Sequence, residues 1–168
     1  MSALEQIRAE LIRCLQAGGI NAAAAYPEKE AAYYEMPVAA VGFAGGTGET
    51  AGFADYLGER YDGEKAAWVE TYGRRLEVTA AIDAFSGQEA GAAGCQAVLE
   101  AAYETLCSGT LASGLRLGEA TWDEVRWDGT IRMYRQRLTL DCRAYFIAET
   151  PVEEGQFLDF KLKGVPVV

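Results

Sequence analysis

The stretch Leu76-Glu77-Val78-Thr79-Ala80-Ala81-Ile82-Asp83-Ala84-Phe85 alternates, and the alternation stops at Ser86-Gly87-Gln88-Glu89. Leu76, Val78, Ala80, Ile82 and Ala84 share one face, with Glu77, Thr79, Ala81 and Asp83 on the other. That period of two marks a half-buried strand. Beyond Glu89 the period becomes helical: Cys95, Val98, Leu99, Ala102 and Leu106 share a face, and Gln96, Glu100 and Glu104 line another. Ser86-x-x-Glu89 has the form of a capping box, in which the Ser86 hydroxyl accepts from the Glu89 N–H and the Glu89 carboxylate reaches back. Gly91-Ala92-Ala93-Gly94 keeps the first turns thin, so the helix can approach a sheet closely. Each glycine costs about 1 kcal/mol of helix stability relative to Ala, so packing must hold the helix. One long strand running into one helix organises the chain.

Upstream, Ser2-Ala3-Leu4-Glu5 is a second capping box, and Leu4, Ile7, Leu11, Cys14 and Leu15 form a stripe at helical spacing. Gly18-Gly19 stops that helix. Ala22 to Glu35, broken by Pro27, reads as a connection with a short strand near Ile20. Pro37 to Phe43 is apolar on both faces, as a central strand is. Phe53 to Leu57 and Ala66 to Tyr72 read as short strands around the polar turn Asp62-Gly63, and Tyr72-Gly73 as a turn into the central strand. Residues 44–75 thus form a long excursion between core strands, and excursions of that length commonly carry function.

Downstream, Ser108 to Gly114 is a loop, Leu115 to Leu117 can start a strand, and Ala120 to Trp127 is a clearer one. Asp128-Gly129 signals a two-residue hairpin. The return strand places Leu138, Leu140, Cys142, Ala144 and Phe146 on one face, and its first half, with Arg132, Tyr134 and Arg135, is expected to project beyond the core. Pro151 ends it, and Gln156 to Lys163 offers a last strand. The expected fold is α+β: one domain over residues 1–168, with a mainly antiparallel or mixed sheet, two helices on one face, and a hairpin or loop excursion.

At 168 residues the chain is long enough to bury a core without disulfides or metals. Cys14, Cys95, Cys107 and Cys142 are scattered, without a C-x-x-C pair, and are expected as free thiols. No apolar run reaches membrane-spanning length, and the N-terminal residues lack the pattern of a signal peptide, so the chain is expected to be made and used, at least first, in the cytoplasm. The net charge of −10 is uneven: residues 1–115 carry net −9, while residues 116–146 carry six Arg against five acids. An acidic chain is a poor binder of nucleic acid.

The residues point away from catalysis. The chain has no His, which removes Ser-His-Asp and Cys-His arrangements and the commonest metal ligand. Ser86 lacks the glycines of a nucleophile elbow. Gly45-Gly46-Thr47-Gly48-Glu49-Thr50-Ala51-Gly52 imitates a phosphate loop, but Glu49 stands where a lysine is needed and no helix follows, so it reads as a flexible turn or arm. No cofactor or metal is expected. Two surface groups stand out as interface candidates: Tyr56, Tyr61 and Trp68 in the excursion, and Trp122, Arg126, Trp127, Arg132, Tyr134 and Arg135 around the Asp128 hairpin. Local packing and cross-strand pairing on a solvated face would also account for them. So would a subunit interface, where Arg and Trp are enriched, or base stacking.

The layout resembles the tail terminator, or tail completion, proteins of long-tailed phages and phage-tail-like particles. The matching features are the helix ending at Gly18-Gly19, then Met36-Pro37-Val38-Ala39-Ala40-Val41-Gly42, and then Glu70-Thr71-Tyr72-Gly73-Arg74-Arg75 leading into the strand to Phe85. Ser86-Gly87 follows with its helix, and then the Asp128-Gly129 hairpin into Met133-Tyr134-Arg135-Gln136-Arg137. The resemblance implies a non-enzymatic structural protein that forms a hexameric ring, caps the tail tube, ends tail assembly and joins the tail to a head, neck or collar. It implies as partners other copies of the chain, the tail tube protein and a sheath, neck or collar protein, with DNA only as passing cargo. Other head–tail connectors and minor tail proteins share such layouts. A small ligand-binding module or enzyme using the Gly45–Gly52 stretch is the alternative of a different class.

Overall fold

A computed structural model describes residues 1–25, 35–50, 55–152 and 160–163. The order is α1 (Ala3–Ala17), β1 (Ala22–Ala24), β2 (Val38–Thr50), β3 (Tyr56–Asp62), β4 (Ala67–Ser86), α2 (Gly91–Ser108), β5 (Leu115–Trp122), β6 (Arg126–Asp128), β7 (Met133–Pro151) and β8 (Lys161–Leu162). The strands form one sheet in the order β1-β2-β4-β7-β5, with β3 on β4 and with β6 and β8 on β7. β1 runs parallel to β2 and every other pairing is antiparallel, so the α+β fold has a mixed sheet.

The core lies between one sheet face and both helices. Ile7, Leu11, Cys14 and Leu15 of α1 and Cys95, Leu99, Ala102 and Leu106 of α2 bury against Val78, Ala80, Ile82 and Ala84 of β4. Leu138, Leu140, Cys142, Ala144 and Phe146 of β7 complete the layer. These are the residues that the sequence patterns select, except that Leu4 stays exposed at the start of α1 and Leu76 and Val98 are only half-buried. The Ser2–Glu5 capping box forms in both directions.

The box expected at Ser86 does not form. β4 runs through Ser86, and α2 starts only at Gly91 with Ala90 as an N-cap that makes no side-chain bond. Ser86 is fully buried, and its hydroxyl donates to the Gly91 carbonyl. The close approach expected of the thin first turn is present. A Cβ at Gly94 would lie 2.7 Å from the Ala90 Cβ and 3.1 Å from Ser86.

The excursion is more regular than its sequence suggests. No turn exists at Tyr72-Gly73, and β4 runs unbroken for 20 residues, about 65 Å at a strand's rise. Gly45 to Thr50 is ladder rather than a turn, pairing with Thr79 to Arg74 after a bulge at Ala44. β3 then continues along the same side of β4, Tyr56 opposite Tyr72 through Asp62 opposite Ala67. β2, β3 and β4 therefore make one long hairpin closed at residues 63–66. β7 flanks it, Val69 opposite Pro151 through Ser86 opposite Tyr134. The part of β7 that leaves the body is its end near Pro151, not its start near Arg132, which pairs with β6 and with the last residues of β4. The strand expected over Ala120 to Trp127 is interrupted at 123–125. The Asp128-Gly129 turn is a four-residue loop, in which Asp128 Oδ1 accepts from the N–H groups of Thr130 and Ile131. Of the last expected strand, Gln156 to Lys163, residues 160–163 are described, and of these Lys161–Leu162 form β8. Ala51 to Ala54, Pro27 and Phe157 to Asp159 lie outside the described residues.

Candidate assembly surfaces

Strand alternation distributes the candidate residues. In the arm, Tyr56 and Tyr72 sit opposite each other, as do Tyr61 and Trp68. The rings meet edge to face at 5.7 Å and 5.8 Å, the preferred aromatic geometry. Tyr61 and Trp68 are still 56% and 54% exposed, so their mutual packing leaves half of each ring in water.

At the far end of the same strands, the residues around the Asp128 hairpin split between two faces. Trp127 lies opposite Tyr134, rings 5.1 Å apart, on the side of the sheet that carries the helices. Trp122 joins that side against Tyr103 of α2 at 4.9 Å. Arg126 and Arg135 are paired opposite each other on the other, open face. The hairpin's arginines and tryptophans therefore do not share one platform; on the open face the Arg135 guanidinium lies over the Phe85 ring, 5.6 Å from its centre. Arg132 sits in the loop with a left-handed φ of 56°.

The open face carries a small apolar cluster of Val38, Ala40 and Phe85, and beside it a set of cross-strand charge pairs. Asp83 is buried, and its carboxylate accepts from Arg137 Nε and Nη2 at 2.9 Å each and from Arg135 Nη2 at 3.2 Å. Burial alone would raise the Asp83 pKa. Hydrogen bonds from Arg137 and Arg135 outweigh it and hold the carboxyl below its ordinary value. Farther along, Arg143 pairs with Glu77 at 2.8 Å, Arg75 pairs with Glu49, and Thr79 Oγ1 donates to Asp141 at 3.0 Å. A cleft of about 810 Å³ crosses this face, lined by Glu77, Thr79, Arg116, Asp141 and Arg143 among others. Of its charged lining residues, Glu77 and Arg143 pair with each other, while Arg116 and Glu119 form no ion pair among the described residues.

Arg135 is thus an anchor within the monomer as well as an interface candidate. The sequence reading missed Asp83 as the group that organises it. Asp83 does interrupt the apolar run before Phe85, but its partners lie 52 and 54 residues away and only the β4–β7 register brings them together.

Among the described residues no cluster of three metal-ligating side chains occurs, and no helix is long and apolar enough to cross a membrane. The next described element after Gly45 to Thr50 is β3, so among the described residues no helix N-terminus stands there to receive a phosphate. Cys14, Cys95, Cys107 and Cys142 are free thiols, and Cys107 alone is exposed.

No protein-family model matches the chain, and no curated protein matches it. Among solved structures the fold is similar to a chain of the virion of a native gene transfer agent particle. The TM-score is 0.43 and the identity 16%, over 85% of this chain and 98% of that one.

Proposed function

We propose that this chain is a structural protein of a phage or phage-tail-like particle. Specifically, it is a tail terminator that closes into a hexameric ring on the end of the tail tube. The observation that carries this reading is the pair of unlike patches at opposite ends of the β4–β7 strands. Tyr61 and Trp68 lie at the arm, and Trp122 and Trp127 lie at the other end on the helix-bearing face, with Arg126 on the open face and Arg132 in the loop. A head-to-tail ring requires two such patches on each subunit, because one copy's first patch meets its neighbour's second. The order of elements that resembles the terminator family supports the same reading. The net charge of −10 suits a ring through which DNA passes, since a basic bore would hold the phosphates.

Purified protein examined by light scattering over a wide concentration range is expected to show a species of six chain masses. It is also expected to bind the ends, and not the sides, of assembled tail tubes. Protein that ignores tube ends in both monomeric and assembled form is not a terminator. Nucleotide binding abolished by substitution at Gly46 or Gly48 would favour a ligand-binding module instead.

A further inference from the structure

Two cross-strand pairs of like charge mark opposite ends of the long strands. In the arm, Glu59 of β3 lies opposite Glu70 of β4, next to the Tyr61–Trp68 pair on the same face. At the far end, Arg126 of β6 lies opposite Arg135 of β7. Like charges directly opposite are unfavourable, and the monomer offsets only the inner member of each pair. Asp83 holds Arg135, and the Tyr72 hydroxyl donates to Glu70 at 2.7 Å. The outer members, Glu59 and Arg126, are exposed and in no ion pair among the described residues, as is Arg132 in the adjoining loop.

The two pairs lie on opposite faces. Glu70 has the parity of Leu76 and Val78, so the acidic pair stands on the side that carries the helices. The helical layer stops short of it. On that side Leu76 is half-buried, and Tyr61 and Trp68 are more than half exposed. The arm is therefore a ledge whose helix side is open, with two acids and two aromatic rings on it. Arg135 has the parity of Asp83, so the basic pair stands on the open face. Glu70 is 15 residues along β4 from Phe85, the partner of Arg135, or about 50 Å at a strand's rise.

Opposite faces at opposite ends suit an overlapping joint. Take a second copy in the same orientation, raised about 10 Å toward the helix side, the spacing of stacked sheets, and slid about 50 Å along the strands toward the arm. Its hairpin end then rests, open face down, on the first copy's ledge, and its body extends away from the first copy's helices. Resting on the ring reading above, we propose that the arm of each copy lies under the hairpin end of the next, helix side against open face. Glu59 and Glu70 of one copy meet Arg126, Arg132 and Arg135 of its neighbour, and the joint covers the Tyr61 and Trp68 rings. The occupant of the ledge is a second copy because one chain carries both halves of the complement, acids with aromatic rings and unpaired guanidiniums, residue types that interfaces favour. Each copy has one ledge and one hairpin, so the joint is heterologous and closes into a ring when each step adds a rotation.

The test reverses one charge on each side of the joint. Glu59→Arg and Arg126→Glu both alter exposed residues. Each variant alone is expected to self-associate at least about tenfold more weakly than the parent, because like charges then meet across every joint. An equimolar mixture is expected to recover assembly. The altered arm of one variant then meets the altered hairpin of the other, and the native arm meets the native hairpin at the next joint. Native mass spectrometry of the mixed ring is expected to show the two variants in equal number. Assembly of either variant alone as the parent assembles overturns the joint, and so does a mixture that assembles no better than the variants do alone. Both results leave the ring reading intact. A parent that never self-associates, free or on tube ends, overturns the ring reading itself.

Discussion

Asp83 of β4 and Arg137 of β7 face each other across the sheet in a two-pronged pair, both contacts at 2.9 Å, with Arg135 closing on the same carboxylate. The carboxylate is buried and both guanidiniums are about a third exposed. Asp83→Asn leaves the two cations partly solvated, so its cost is moderate, about 1–3 kcal/mol. The sign with pH follows from the lowered pKa. The unfolded chain takes up the proton first, so the contribution is complete above the unfolded carboxyl pKa and is lost as pH falls through the lower, folded one. Urea unfolding between about pH 3 and pH 7 is expected to show the parent losing more stability toward acid than Asp83→Asn does.

Charge reversal separates anchors from candidate contacts. Arg135→Glu sets a carboxylate beside buried Asp83 and is expected to destabilise the monomer by more than about 2 kcal/mol. Arg126→Glu and Arg132→Glu, on exposed residues, are expected to stay within about 0.5 kcal/mol in denaturant melts. An assembly defect in those two is therefore readable as an interface effect, whereas one in Arg135→Glu is not.

Gly94→Ala sets two effects against each other. Alanine favours a helix interior by about 1 kcal/mol, but the added methyl meets Ala90 and Ser86, neither of which can swing away. Overpacking of this kind costs about 1–3 kcal/mol, so a net loss of stability is expected. A gain in thermal melting temperature would show that α2 can shift away from β4.

Thiol labelling reports the packing directly. Burial raises the pKa of Cys14 and Cys95, and raises that of Cys142 to about 12, with Asp141 adding to the shift there. All three are buried and Cys107 is exposed. At mildly alkaline pH the native chain is expected to react quickly at Cys107 alone, and at all four cysteines after unfolding. Fast native reaction at Cys95 would show that α2 separates from the end of β4.

The sequence by itself determined the two layers. Alternation over Leu76 to Ala84 and over Leu138 to Phe146, and the helical stripes of α1 and α2, are local patterns. Burying an apolar face satisfies each pattern whatever the distant chain does. Tertiary structure decided everything that depends on register. Glycines and charged residues from 44 to 75 have little strand propensity of their own, yet they extend the hairpin because β4 and β7 supply a ladder to pair with. Ser86 has the local partner for a cap, but at the end of β4 it is buried under α2, where its hydroxyl meets the Gly91 carbonyl instead. The arginines and aromatics near Asp128 are neighbours in sequence, and the alternation of β6 and β7 sends them to opposite faces. Asp83 meets Arg135 and Arg137, and Glu59 meets Glu70, only through cross-strand pairing, a long-range relationship that spacing along one chain does not encode.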